Sequence, residues 1–220
     1  MRRLRNLCVA MGFTWLAFSG CSAIEPKADP SRFFTLTPLV QIDQDRPQGP
    51  AGLGGVSLGI RPIKLPGYLD REQLVTRISQ NRFQIAENDR WAEPLEENFK
   101  RVLTQNLTSL VPAAQFVDYP WHASERPEYQ LEIDVLRFEP DGARNVEMLV
   151  RWRIRETATQ KTVRVQQTRL VSAVANNTTE AAVAALSVAL GELSRELAHA
   201  TQALGHPINP KGISKKRNFP

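Results

Sequence analysis

The sequence predicts an α+β domain of two layers, in which a mixed or antiparallel sheet carries two main helices packed on one face. Two observations predict this fold. Apolar residues recur at helical spacing over residues 92–110 and 179–204, whereas shorter segments alternate between apolar and charged side chains. The order along the chain is strands, helix, strands, helix, which is typical of an α+β domain.

The first part of the predicted domain consists of short strands. Aromatic and β-branched residues or weak alternation predict four of them, over 32–36, 56–65, 74–78 and 82–86. Pro62 and Pro66 indicate that the second strand ends at a sheet edge or leaves the sheet. The polar pair Gln80 and Asn81 predicts a hairpin between the last two strands, and the Gly- and Pro-rich residues 41–55 predict a loop.

Two helices follow from their apolar stripes and end signals. The first is predicted over 92–110, with Pro94 in its first turn and with Glu93, Glu96 and Glu97 at the positive end of the helix dipole. The second is predicted over 179–204. Its narrow apolar seam favours packing on the sheet over pairing with another helix, and it consists of Leu186, Leu190, Leu193, Leu197, Ala200 and Leu204.

Four further strands are predicted between the helices, over 115–117, 131–135, 146–155 and 163–171. Asp141 and Gly142 predict a hairpin after the second of them. Acidic side chains at 132 and 134 are expected to face arginines at 151 and 153, on a solvated sheet face. Val163, Val165 and Val171 share one parity, which predicts that they form the apolar face of the last strand.

The N-terminus has the organisation of a secretory signal. Three arginines precede an apolar run from Leu7 to Phe18, which is too short to span a bilayer at about 20 residues. The next residues, Phe18-Ser19-Gly20-Cys21, resemble a bacterial lipobox, which implies cleavage before Cys21 and attachment of diacylglycerol and an N-acyl chain there. An ordinary signal peptide with an incidental cysteine is the alternative. Ser22 favours the outer membrane by the sorting rule of such lipoproteins.

These features divide the chain into four predicted parts. Residues 1–20 are a lipoprotein signal peptide, 21–30 a lipidated tether, 31–205 a single domain and 206–220 a disordered basic tail. The net charge of +5 includes three signal arginines, so the remaining 25 basic residues nearly balance 23 acidic ones. A nucleic-acid partner is therefore not expected. The tail is either solvated or contacts anionic lipid or a partner.

Catalytic and metal-binding patterns are missing from the sequence. Cys8 leaves with the signal and Cys21 carries lipid, so no thiol is left for a nucleophile, a metal or a disulfide. The three histidines, His122, His199 and His206, are isolated and lack the spacing of metal ligands. We therefore expect a protein that is not an enzyme and binds no cofactor apart from its covalent lipid.

The densest group of distinctive residues lies between 61 and 95. The stretch IKLPGYLDREQLVTRISQNRFQIAENDRWAEPLEENFKRVL, with RFFTLTPL before it, resembles the ABC-type transport auxiliary lipoprotein family. The resemblance covers most of residues 31–204. It implies a non-catalytic periplasmic lipoprotein that works beside a mammalian cell entry (MCE) protein and an ABC transporter in moving lipids between the membranes. Such a protein would dock the MCE protein to the outer membrane and support envelope integrity.

The same segment supplies candidate docking residues, because aromatic and arginine side chains carry much of the energy of interfaces. They are Tyr68, Arg71, Arg77, Arg90 and Trp91. The alternative is that the two aromatic residues belong to the core, and that Arg77 and Arg90 form ion pairs within the fold, with Asp70 or Glu93.

Other functions stay open from the sequence. One is a lipid carrier with an apolar pocket lined by the leucine seam of the second helix, and another is a pilotin-like structural lipoprotein of an envelope assembly complex. A homo-oligomer is also compatible with a ring-shaped partner, by analogy alone.

Overall fold

The structure is a computed structural model that describes residues 28–39, 55–122, 124 and 126–205. Cys21, most of the predicted tether, the predicted loop 41–55 except Gly55, and the predicted basic tail lie outside the described residues. The chain divides into two compact units, Met1–Pro30 and Ser31–Pro220, and the fold described below belongs to the second.

The described residues form eight strands and two helices, and each was predicted from the sequence in the same order. The predicted α+β class is confirmed. The elements are β1 Arg32–Phe34, β2 Ser57–Ile60, β3 Gln73–Ser79, β4 Arg82–Trp91, α1 Leu95–Leu110, β5 Gln115–Asp118, β6 Tyr129–Pro140, β7 Asn145–Glu156, β8 Thr162–Ala173 and α2 Thr179–Leu204.

The strands form two sheets instead of the single sheet expected. Their orders are β1-β4-β3 and β5-β2-β6-β7-β8. The separation arises after β2, where the chain first continues beside β6, with Arg61 N–H donating to the Leu131 carbonyl (3.1 Å) and Lys64 N–H to that of Ile133 (3.0 Å). Pro66 then begins a turn, and the β3–β4 hairpin pairs with β1 instead of β2.

Helix α1 begins at Leu95, three residues later than predicted. Strand β4 continues to Trp91 because the backbone at its end is hydrogen-bonded to the segment before β3 and to β1. The Trp91 N–H donates to the Glu72 carbonyl (2.7 Å), and the Ala92 N–H donates to that of Phe34 (2.9 Å). Pro94 is therefore the N-cap and not a residue of the first turn.

The core lies between the helices and the five-stranded sheet. The leucines of α2 are 0–1% exposed from Leu186 to Leu197, and this helix packs on β7 and β8, as the seam predicted, but it also packs against α1. Strand β7 contributes alternate buried side chains opposite it, and these are Val146, Met148, Val150, Trp152 and Ile154. Burial of this apolar surface is the main stabilising contribution, at roughly 25 cal/mol per Å².

The prediction that the valines of β8 form its apolar face was wrong. Val163, Val165 and Val171 are 43%, 63% and 51% exposed. The register explains this, because Val165 lies opposite Arg153 and Val171 opposite Glu147, which belong to the charged face of β7. The covered face of β8 instead carries Thr168 and Ser172.

The cross-strand charges predicted for the outer face are present. Arg153 Nε lies 3.3 Å from Glu132 Oε2, and its Nη2 lies 3.4 Å from Asp134 Oδ2. Arg151 lies opposite Asp134 in the register but makes no ion pair with any described residue. The outer face of β7 thus carries an exposed, unneutralised cation.

Candidate functional site

Two of the predicted docking residues meet at a buried carboxylate on β6. Glu139, 2% exposed, accepts hydrogen bonds from Tyr68 Oη (2.8 Å), Arg77 Nε (2.7 Å) and the Phe138 N–H (2.8 Å). We call Tyr68, Arg77 and Glu139 the Glu139 cluster. It joins the turn at 66–69 and strand β3 to the larger sheet.

Aromatic contacts enclose this cluster. The Tyr68 ring stacks on Phe83 with centroids 4.4 Å apart, and the Arg77 guanidinium lies 4.3 Å from the Phe83 centroid. Burial, together with the hydrogen bond to Glu139, raises the pKa of Tyr68 well above its ordinary value. Tyr68 is therefore a permanent hydrogen-bond donor at physiological pH, and the arrangement has the character of a structural junction instead of an acid–base site.

The other three predicted docking residues lie on or beside the smaller sheet. Trp91 is 7% exposed and belongs to the core. Arg90 Nη1 is 3.3 Å from Glu72 Oε2, and Arg71 is exposed without an ion pair among the described residues. Arg77 and Arg90 do form ion pairs within the fold, Arg77 with Glu139 and Arg90 with Glu72. Their partners are therefore not Asp70 or Glu93, which the sequence suggested. Docking by these residues stays a prediction.

A segment that the sequence did not single out lies against both helices. Residues 35–39, called the strap here, follow β1 without regular secondary structure. The Leu36 N–H donates to Asn98 Oδ1 (2.8 Å) and the Leu39 N–H to Asn106 Oδ1 (2.8 Å), both on α1. The Thr37 N–H donates to Ser187 Oγ on α2 (3.1 Å). Side chains therefore supply the partners that a neighbouring strand would give these backbone groups.

The helices are shaped to receive the strap. Asn98 and Asn106 are 0% and 1% exposed, and Asn106 Nδ2 also donates to Ser194 Oγ on α2 (3.0 Å). A Cβ atom at Gly191 of α2 would lie 2.4 Å from Leu39 Cδ2. The missing side chain at Gly191 therefore lets the strap approach the helix closely. Two asparagines spaced by eight residues on the apolar stripe of α1 were the available sequence signal.

Arg32, the first residue of β1, is bound through Asp89 to β4 and to the start of α2. Arg32 donates to Asp89 from Nε to Oδ1 (2.7 Å) and from Nη2 to Oδ2 (2.8 Å), and Thr179 Oγ1 at the start of α2 donates to Asp89. Burial alone would raise the pKa of Asp89, but the hydrogen bonds from Arg32 and Thr179 and the charge of Arg32 outweigh it and lower the pKa. The folded protein therefore holds Asp89 in its ionised form.

We expect stability to fall in acid, and part of this loss to come from Asp89. Because its folded pKa is depressed, its stabilisation is fully present above the ordinary pKa of about 3.9 and disappears as the pH falls through the folded value. Asp89→Asn should lower the unfolding free energy by about 1–2 kcal/mol at pH 7. This deficit should shrink below pH 4 in urea unfolding curves. A deficit that is constant down to pH 2 would contradict the assignment.

The described residues contain neither a metal-binding group nor a membrane-spanning helix. Nowhere in them do three or more His, Cys, Asp or Glu residues come together as metal ligands. None of their helices has the length and apolarity needed to cross a bilayer.

An open groove lies near the C-terminal end of α2, and its lining includes Arg126, Glu128, Glu156 and Leu204. The leucines from Leu186 to Leu197 do not line it, because they are buried against the sheet. The pocket that the lipid-carrier alternative predicted along that seam is therefore not formed by these leucines.

Comparison with known proteins gives a family match and two kinds of relative. The sequence model of the family described as "ABC-type transport auxiliary lipoprotein component" matches residues 34–198. Intermembrane transport lipoprotein PqiC from Escherichia coli (strain K12) is 29% identical over 109 residues, which are 50% of this chain and 54% of that protein. PqiC from Shigella flexneri matches equally. The chain thus spans about half the length of the curated relatives it matches.

Solved structures share the fold. The crystal structure of protein XCC0632 from Xanthomonas campestris has a TM-score of 0.66 at 19% identity, covering 80% of this chain and 97% of that one. A crystal structure of an uncharacterized protein has a TM-score of 0.64 at 18% identity, covering 77% of this chain and 97% of that one. At these identities the likeness concerns the fold alone.

Proposed function

Because the chain belongs to the family of ABC-type transport auxiliary lipoprotein components, we propose that it is a non-catalytic subunit of an MCE-type ABC lipid transport system. In this role it docks the periplasmic MCE protein to the outer membrane and so supports envelope integrity. The family match over residues 34–198 is the observation that carries the proposal. The intermembrane transport lipoproteins among its relatives agree with it.

The membrane attachment in this proposal depends on Cys21. Each buried methylene of an acyl chain contributes about 0.8 kcal/mol, and one chain alone gives only marginal, reversible binding. Diacylglycerol together with an N-acyl chain at Cys21 supplies enough for lasting attachment. Ser22 after the cysteine favours the outer membrane as the destination.

Two buried carboxylates of the fold are held in structural ion pairs. Glu139 is bound to Arg77, and Asp89 is bound to Arg32. Both carboxylates join separate parts of the fold and are therefore occupied by structural contacts. General acid–base catalysis needs instead a group that can reach a substrate.

The anchor is tested by Cys21→Ser in a Gram-negative host, with Cys8→Ser as the matched control. We expect the wild-type chain and the Cys8→Ser variant in the outer-membrane fraction, carrying lipid at residue 21 by mass spectrometry. Cys21→Ser should leave that fraction almost completely. An unmodified Cys21 in the wild-type chain would overturn the anchor.

The docking role is tested by retention of the purified acylated chain on an immobilised MCE protein encoded beside it. Binding at micromolar concentrations is expected, and a periplasmic protein of similar size and charge serves as the control. Failure to bind at those concentrations would overturn the docking role, whatever the state of Cys21.

A further inference from the structure

Strand β8 forms one edge of the five-stranded sheet. It is twelve residues long and pairs with β7, and no described residue forms a strand on its other side. Half of its backbone hydrogen-bonding groups therefore face outwards. Long, regular edges of this kind invite pairing with another chain, and proteins normally shorten, bend or cover them.

The side chains of this edge are also suited to an added strand. The exposed Val163, Val165 and Val171 lie on its outer face, each with 43% or more of its surface accessible. Such valines favour strand pairing, and alternate side chains of an added strand would pack beside them on the same face of the sheet. On the opposite face, Thr168 Oγ1 donates to Glu196 on α2 (2.7 Å) and accepts from Trp152 Nε1 on β7 (3.2 Å). The covered face of β8 is therefore bonded to both α2 and β7.

We propose that β8 accepts an extended segment of the transport partner as a sixth strand, with apolar and acidic side chains on the face that continues the outer face of β8. This inference rests on the proposed function, because it assigns the surface at which the partner docks. Backbone hydrogen bonds would give the affinity, and the outer-face side chains would give the specificity.

The charge of the edge decides between an acidic strand and a second copy of this chain. Residues 162–173 include Arg164 and Arg169 and no acid. Arg169 binds Glu147 (2.8 Å) and shares it with Arg137 (2.5 Å), whose Nε also lies 3.5 Å from Glu139. Arg151 on the neighbouring strand is exposed without an ion pair among the described residues. Two copies of β8 would bring these cations together, whereas an acidic segment would neutralise them.

A synthetic peptide tests the edge directly. The probe is a labelled ten-residue strand, antiparallel to β8, with valine opposite each exposed valine, glutamate opposite Gln167 and Arg169, and threonine on the other face. We expect the full acylated chain in detergent micelles to bind it with a micromolar dissociation constant by fluorescence anisotropy. Replacing glutamate by lysine, or N-methylating the amides that face β8, should weaken binding at least tenfold. Equal binding of the N-methylated peptide would overturn the proposal.

Two matched variants test whether the MCE protein binds at the β8 edge. Val165→Glu and Val188→Glu place the same charge on exposed valines of β8 and α2. Val165→Glu should weaken both peptide binding and retention on the MCE protein at least tenfold, and Val188→Glu should change neither. Equal retention of both variants would overturn the β8 proposal and leave the docking role intact.

Two further outcomes separate this proposal from the others. If the wild-type chain binds the peptide but not the MCE protein, the docking role and the proposed occupant of β8 are both overturned, and only the strand-accepting property of β8 remains. Concentration-dependent dimerisation in sedimentation experiments that Val165→Glu abolishes would overturn the proposal in favour of a second copy of this chain.

Discussion

Arg77→Met is expected to lower the free energy of unfolding by about 2–4 kcal/mol, because it removes the main charged partner of a buried carboxylate. The side chain of Glu139 is 1% exposed and that of Arg77 is 17% exposed, so solvent gives little compensation. Arg137, whose Nε lies 3.5 Å from Glu139, remains and keeps the loss below that of a completely unpaired charge. Urea unfolding followed by tryptophan fluorescence would measure the change.

A second substitution shows whether the cost comes from the unpaired charge. Arg77→Met combined with Glu139→Gln should be more stable than Arg77→Met alone, since the amide carries no charge to be left unpaired. Arg71→Met, at an exposed arginine of the same region, should stay within about 0.5 kcal/mol of the wild type. If Arg77→Met were fully stable but failed to bind the MCE protein, Arg77 would be a docking residue and not a junction of the fold.

Asn106→Ala is expected to cost about 2–4 kcal/mol of unfolding free energy. The substitution leaves the Leu39 N–H without its acceptor and Ser194 without a donor, in a region where Asn106 is 1% exposed. A buried backbone group without a hydrogen bond costs about 1–3 kcal/mol, and two groups are affected here. The loss should appear at neutral pH as a lower urea midpoint with an unchanged slope.

The control for this substitution is Ser109→Ala, at an exposed position of the same helix, which should leave the midpoint nearly unchanged. Hydrogen exchange gives an independent readout, since the amides of Leu36 and Leu39 should exchange together when the strap is released. An Asn106→Ala protein with wild-type stability and protection at Leu39 would show that the strap is held by packing alone.

Local patterns were enough to predict the elements of the fold. The stripe of α1 and the seam of α2 are properties of consecutive residues, and so are the hairpins at Gln80 and at Gly142. The division into two sheets depends instead on the partner chosen by β1, which pairs with β4 across 57 residues of sequence. No period or turn signal within a segment specifies such a partner.

The wrong predictions also arise from contacts between residues that are distant in the sequence. The valines of β8 look like a core face, yet the register with β7 turns them outwards. Arg77 was expected to find a nearby acid, but its partner Glu139 lies 62 residues away on β6. The strap could have been anticipated only from Asn98 and Asn106, two polar residues on an apolar stripe.

The position of the strap has a mechanical consequence for a tethered protein. Tension on the lipid proposed for Cys21 would enter the domain through β1, and the Arg32–Asp89 pair and the strap are the next attachments along the chain. Strand β1 is itself an edge strand, but the strap behind it is bonded to both α1 and α2, so a load that passes β1 is divided between two helices. The strap should therefore hold the N-terminal end of the domain in place even after β1 has separated from β4.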